Sequence, residues 1–495
     1  MKKIFKTINF LFILFLFSGI YKNALAFNPS SEIYINQAYD NTNRSSLNVT
    51  QIKATNSAIF YADKDWWSSL SSLDQTVLQS KIYLISSEIE YKIKPVLNNT
   101  FGQEPAPLNG NDSRLSIILT PMVEGVQGYI RTSDFVLKTN NTLSNEGNVI
   151  YLNGNKLKTV SENIAYSFIA HEFMHLISYN QKYINKKVNE DTWLEELRAE
   201  YAPTIVGYNN NWDSSYLKIR AIDFIKNNII SFVDWDNSNP NYSSVNLFAN
   251  YLVEQYGQEI ILESFRSSKV GIASINEFLN KRGDNFDQVF QDWLITNILN
   301  DCNVSSKYCY KNPNLKNLTI SPSSFYLPMN GNSALAISDT FVPYMAKYQK
   351  ISGGSADLNF DFENASDNIV KRIPYVIVNK DGTKKLFFFE FQNNKSQKII
   401  IPDFNKEAVN LIIIPYNIRN DNNFSVRSIF KWSATITNAG TGTPVNVNPS
   451  NPTTPTTTKP TTDFSSIIER QSLLISLQGK LIILMQQLIS LLLSR

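Results

Sequence analysis

The chain has 495 residues with 46 basic against 43 acidic side chains, two histidines and two cysteines. That length is too great for one hydrophobic core and calls for two or three domains. A net charge of +3 leaves no electrostatic footprint for nucleic acid, and two cysteines are too few for a cysteine-held zinc.

Residues 1–26 read as a secretory signal. "MKKIFK" is the positive n-region, "INFLFILFLFSGI" the apolar h-region, and Ala24-Leu25-Ala26 the small-residue cleavage site. The mature protein is then expected to begin at Phe27 and to work outside the cytoplasm, secreted or at the cell surface. The signal carries Lys2, Lys3, Lys6 and Lys22 and no acid, so its removal leaves a net charge of −1.

Residues 27–60, polar and rich in Asn and Ser, read as an edge strand, an N-terminal arm or a propeptide, and the sequence does not choose. "SLDQTVLQSKIYLISSEIEYKIKP" predicts a helix capped by Ser72 or Asp74. Its apolar stripe is Leu78, Ile82, Ile85, Ile89 and Ile93, and Pro95 ends it. "RLSIILTPM" (114–122) and "GNVIYLNG" (147–154) read as strands, the second as an exposed edge able to pair with an extended peptide. A helix is expected from Glu162 to Tyr179 and another from an N-cap at Asp191, with Pro203 ending or kinking it. "SSVNLFANYLVEQYG", stopped by Gly257, and the segments between Ile272 and Leu299 add further helices.

Cys302 and Cys309, seven apart in "DCNVSSKYC", are expected to close a small loop by a disulfide. Beyond them "DLNFDF", "PYVIVN", "KLFFFEF", "KIIIP" and "VNLIIIP" are short strands separated by turns, with "NKDGTK" as a hairpin connection. They predict a β-sandwich over 316–437. Residues 438–463 are a Thr/Pro/Asn-rich linker. In 464–495, Ile467, Leu474, Leu481 and Leu488 fall seven apart, with Leu477, Leu484 and Leu491 three after the later ones. That is the seam of a self-associating coiled coil, and its apolar face is wide enough for three or more strands or for a surface attachment.

Both histidines, His171 and His175, lie in "HEFMH", one turn apart on the predicted helix, where two imidazoles reach one cation. The alternative is a pair of core histidines on the stripe shared with Ile164 and Phe168. With histidine this rare, chance placement of both in HExxH is on the order of one in thousands, and Glu172 between them is costly to bury without a task. A catalytic zinc needs a third protein ligand and an open position. No third histidine exists, so that ligand is a carboxylate, and the next helix offers Glu195, Glu196 and Glu200. Glu196 and Glu200 share a face, whereas Glu195 is rotated about 100° away.

"HEFMH" followed by "TWLEELRAEYA" resembles the gluzincin metallopeptidases, within them most nearly the secreted bacterial peptidases of the hyicolysin type, whose second helix reads W-L-N-E-x-x-A-E. "YADKDWWSSLSSLDQTVLQSKI", "FGQEP", "NDSRLSIILTPM", "GYI" and "VFQDWLITNIL" extend the likeness over about 55–300. The resemblance implies Zn2+ held by His171, His175 and Glu196, with Glu172 as general base. It also implies that Glu200 hydrogen-bonds a ligand histidine, and Glu195 stands where the pattern has Asn. Since both histidines are ligands, the oxyanion donor must be another residue. Tyr242, opening a downstream helix as the catalytic tyrosine of gluzincin aminopeptidases does, is the candidate.

The expected fold class is α+β: a gluzincin-type metallopeptidase domain over 61–315, with an antiparallel edge-stranded sheet and a helical half, then the all-β sandwich and a C-terminal helix. The expected activity is hydrolysis of protein or peptide substrates. No segment of the kind that grips a free N-terminus is present, which favours an endopeptidase. The competing reading is a surface adhesin or binding module with a degenerate metallopeptidase domain.

Overall fold

The computed structural model describes residues 32–108, 112–227, 229–232, 235–365, 372–391, 395–418 and 427–437. The signal, the linker and the C-terminal heptads all lie outside the described residues. The chain is α+β and divides into two compact units, 1–90 with 105–159 and 91–104 with 160–495.

The first unit is built on a five-stranded sheet of β1 (Val49–Ala54), β2 (Ala58–Asp63), β3 (Leu115–Thr120), β4 (Gly128–Ile130) and β5 (Val149–Asn153), in the order β1-β2-β3-β5-β4. Residues 49–54, left open by the sequence, are thus its outer strand. The sheet is mixed rather than antiparallel: β2/β3 and β3/β5 are parallel, and only the outer pairs β1/β2 and β5/β4 are antiparallel. All residues of β2, β3 and β5 are buried, so these strands read as apolar runs without a clean alternation. Strand β5 is flanked on both sides and offers no free edge, which withdraws its expected role as a peptide-pairing strand. Helix α1 (Ser72–Glu88) is capped by Ser71, whose hydroxyl accepts from Asp74 N–H, not by Ser72 or Asp74.

Pro95 does not end the helical run. A π-helical turn covers Ile89–Ile93, and α2 (Lys94–Phe101) begins with Pro95 in its first turn, where a missing N–H leaves no bond unmade. The second unit continues with α3 (Glu162–Ser178), α4 (Thr192–Val206), α5 (Tyr216–Ile225), the short strand β6 (Ile229–Ser231), α6 (Asn239–Tyr256), α7 (Glu259–Arg266), α8 (Gly271–Leu279) and α9 (Phe286–Leu299). Helix α4 runs past Pro203 to Val206 and stops at Gly207, in the left-handed region at φ 92°. Helices α5 and α7 were not singled out in the sequence.

The rest of the unit is a two-sheet β-region. Its strands are β7 (Ser323–Leu327), β8 (Ser333–Phe341), β9 (Met345–Lys347), β10 (Gln349–Gly353), β11 (Leu358–Asn364), β12 (Arg372–Asn379), β13 (Lys384–Glu390), β14 (Ser396–Ile401), β15 (Ala408–Ile413) and β16 (Ser428–Ile436). The sheets are ordered β8-β16-β11-β14 and β13-β12-β15-β10-β7. Alternate residues of β11 and β16 are buried, and Phe360, Phe362 and Trp432 from one sheet meet Phe389 and Phe325 from the other. The Asp381-Gly382 turn joins β12 to β13 as the hairpin expected from "NKDGTK". Cys302 and Cys309 are disulfide-bonded, as their spacing led us to expect.

The helical half and the β-region share a buried polar seam. The Tyr344, Tyr348 and Tyr416 side chains are at most 3% exposed. Tyr344 Oη donates to Asp287 (2.8 Å), Tyr348 Oη accepts from Asn297 Nδ2 (3.1 Å), and Tyr416 Oη accepts from Gln291. All three partners lie on α9.

Candidate metal centre

Helix α3 is apolar on nearly every side, so packing rather than amphipathicity holds it, and His171 and His175 end up one turn apart with ring centroids 4.9 Å apart. Helix α4 is fixed at its start by buried charge. Glu190 Oε2 meets Arg198 at 2.7 Å and Lys182 at 3.1 Å, and Glu190 Oε1 accepts from the N–H of Gly271 at 2.6 Å. Gly271 is required there: φ is +52°, and a Cβ would come within 1.9 Å of the carboxylate of Asp191, the N-cap of α4.

These helices bring three atoms to one point. His171 Nε2 and His175 Nε2 are 3.2 Å apart, and Glu196 Oε2 lies 3.3 Å from the first and 3.6 Å from the second. A tetrahedral ion with ligands at about 2.0–2.2 Å places its ligand atoms about 3.3–3.6 Å apart. The triangle therefore matches one face of such a shell. Glu196 Oε2 is buried and accepts no hydrogen bond among the described residues, which is costly for a carboxylate unless a cation sits against it. Among the described residues, this set is the group of three or more His, Cys, Asp or Glu able to hold a metal ion. The residues present fit the group.

The electrostatics agree. Burial pushes the His175 imidazole down, but the carboxylates of Glu196 and Glu195 outweigh it and hold it well above its ordinary value. Burial likewise pushes Glu196 up, yet the facing His175 and His171 rings hold it below the usual carboxylate range. A positive charge belongs at the centre of this triangle, as a proton or as a metal. Glu172 is buried, and burial raises its carboxyl against the opposing pull of His171 and His175.

The far nitrogens of both rings also face carboxylates. His171 Nδ1 is 3.6 Å from Glu200 Oε1, and His175 Nδ1 is 3.5 Å from Glu195 Oε1. Glu200 is no solvated helix charge: it is fully buried, Arg220 donates to it from Nε (2.9 Å) and from a terminal nitrogen (2.5 Å), and Asn246 Nδ2 donates at 3.0 Å. The guanidinium of Arg220 lies over the rings of Tyr216 (4.7 Å) and Tyr242 (5.1 Å). Tyr242, in the first turn of α6, has its ring centroid 6.5 Å from that of His171. Burial, then the carboxylates of Glu196, Glu200 and Glu172, raise its phenol above the ordinary value, which keeps it a hydrogen-bond donor. Sequence reasoning missed Arg220 and Asn246, which carry no local motif. It weighed Glu195 as a ligand and as a departure from Asn, not as the carboxylate that faces His175 Nδ1 at 3.5 Å.

No protein-family model matches the chain. The neutral metalloprotease ShpI of Staphylococcus hyicus is 25% identical over 140 residues, 26% of this chain and 31% of its own length. The chain thus spans about a third of that relative. Among solved structures, the pre-peptidase C-terminal domain of a Bacillus anthracis collagenase is 8% identical with a TM-score of 0.17, over 23% of this chain and 96% of that one. The Aeromonas hydrophila periplasmic inhibitor of g-type lysozyme, PliG, is also 8% identical with a TM-score of 0.17, over 23% and 98%. Likenesses at that score carry no argument about this chain. What the sequence relation supports is kinship with a metalloprotease over about a quarter of the chain.

Proposed function

We propose that the chain is a secreted zinc-dependent endopeptidase, with a signal at 1–26, a peptidase domain over 61–315 and an appended β-sandwich over 316–437. The observation that carries the reading is the tetrahedral-face triangle of His171 Nε2, His175 Nε2 and Glu196 Oε2, with Glu172 buried on the same helix. The relative's designation as a neutral metalloprotease points the same way. Zinc, when bound, lowers the pKa of a water at its open position towards ~7 and polarises the peptide carbonyl.

The protein's own groups do the rest. The carboxylates of Glu200 and Glu195 face Nδ1 of His171 (3.6 Å) and of His175 (3.5 Å), which favours the tautomer that turns both Nε2 lone pairs inward. Arg220 holds Glu200 in place. Glu172, its carboxyl raised by burial, takes the proton of the attacking water and passes it to the departing amine. Tyr242 donates to the carbonyl oxygen as negative charge develops there, a contribution worth roughly 3 kcal/mol. Protein or peptide chains are the substrates.

Glu172→Gln tests the reading. Metal content should stay at the parental level while cleavage of casein falls below detection, since only the base is removed. A variant that binds zinc and cleaves at the parental rate refutes the mechanism.

A further inference from the structure

The β-region touches the helical half at a strand pair that nothing in the proposed chemistry uses. Strand β6 has three residues, and among the described residues its strand partner is β9, with Met345 opposite Ser231, Ala346 opposite Ile230 and Lys347 opposite Ile229. A strand this short is marginal by itself and takes its position from its neighbour. Strand β9 is held from its other side. Lys347 N–H donates to Pro415 O (3.1 Å), and Asn417 N–H donates to Met345 O (3.0 Å). By alternation the N–H and C=O of Ala346 point the opposite way, at Ile230 of β6. Ile230 and Ala346 are both fully buried.

What β6 holds is the start of α6. Ser231 O accepts from Asn241 Nδ2 at 3.3 Å. Asn241 Oδ1 in turn accepts from the N–H groups of Asp236 (3.2 Å) and Ser238 (3.3 Å), closing the cap of the helix one residue before Tyr242. The Phe232 ring, next to β6, packs on Phe248 of α6 (5.0 Å) and stacks on Trp193 of α4 (5.6 Å, 8°). The same few residues therefore locate the tyrosine-bearing turn against the glutamate-bearing helix.

We infer that the β-region is a built-in clamp on the reaction centre: β9 positions β6, and through Asn241 it sets the place of Tyr242 over the metal ligands. Ala346, Ile230 and Asn241 are positioning residues, and the β-region cannot be cut away as an independent docking module. The inference rests on reading Tyr242 as the oxyanion donor.

The test is a double-mutant cycle on the full-length protein with zinc bound and a fluorogenic peptide as substrate. Ala346→Pro removes the N–H that faces β6 and spares the bonds to Pro415 and Asn417. It should lower kcat about tenfold or more, leave KM within about twofold and keep metal content at the parental level, since misplacement of about 1 Å has costs of this order. Ile230→Ala, a milder change at the same contact, should move kcat in the same direction, and it carries the test if the proline variant does not fold. In a Tyr242→Phe background either substitution should cost less than about twofold, because the group it misplaces is already gone. The inference is overturned if the losses multiply in that background, if kcat stays parental, or if metal is released. The Tyr242→Phe protein by itself separately tests the tyrosine: a parental kcat there refutes the donor assignment, whatever the clamp variants do.

Discussion

Removing the guanidinium of Arg220 should be among the most damaging single changes outside the ligand set. Glu200 is buried, takes both Arg220 bonds at 2.5 and 2.9 Å, accepts from Asn246 Nδ2 and faces His171 Nδ1 at 3.6 Å. Arg220→Met preserves the buried stem and deletes the charge. A buried pair broken from one side costs about 3–5 kcal/mol, because an uncompensated carboxylate remains. At about 2–4 °C per kcal/mol for a large domain, the melting temperature should fall by about 6–20 °C. The double variant Glu200→Gln with Arg220→Met should recover much of that loss, since both charges leave together. Differential scanning calorimetry of the metal-loaded proteins measures it. An Arg220→Met protein that melts within about 2 °C of the parent would show that the pair does not carry this charge balance.

Glu196→Gln should lower zinc content sharply by metal analysis, while Glu200→Gln should weaken affinity by about 10–100-fold through His171. Glu195, whose side chain is a third exposed, should matter less than Glu200, and a larger loss at 195 than at 196 would move the ligand assignment by one residue. Without metal, His175 sits raised and Glu196 lowered, so protons compete with zinc for the same charge. The stability that protonated His175 lends the metal-free chain is present at low pH and lost as pH rises through its raised pKa. The thermal stabilisation by zinc should therefore grow as pH rises from below the ordinary histidine range towards the raised pKa of His175, and a flat difference between loaded and chelated samples would contradict it. Deleting 464–495 should leave peptidase activity intact and give a smaller species by light scattering. Identical monomers before and after deletion, with no lipid or cell binding, would refute the heptad reading.

The histidine helix was legible because its signal is local: HExxH is a spacing, and spacing on a helix is geometry. The hairpin at Asp381-Gly382 and the disulfide were legible for the same reason. Errors arose where tertiary context overrode a local rule. Pro95 and Pro203 looked like stops, but Pro95 falls in a first helical turn, and α4 gives up one N–H bond at Pro203 and still runs on to Val206 before Gly207. Strand 149–153 looked like an edge because it ends shortly before the histidine helix, yet its all-buried pattern belongs to an inner strand. Arg220 was invisible because its partner is twenty residues away and its burial is decided by helices α4 to α6 together. Which carboxylate faces which imidazole nitrogen depends on the rotation of α4 against α3, and sequence periodicity gives only the relative angle within one helix.

The loop between Cys302 and Cys309 changes what a break in the chain would mean. It is largely exposed, with Val304 at 49%, and it lies between α9 and the first strand of the β-region. In a milieu of proteases it is an accessible place to be nicked. A cut anywhere from 303 to 308 leaves the two pieces joined by the Cys302–Cys309 bond and by the tyrosines seated on α9. The nicked molecule would migrate as one species without reductant and as two with it, so an apparently processed form need not be a dissociated one.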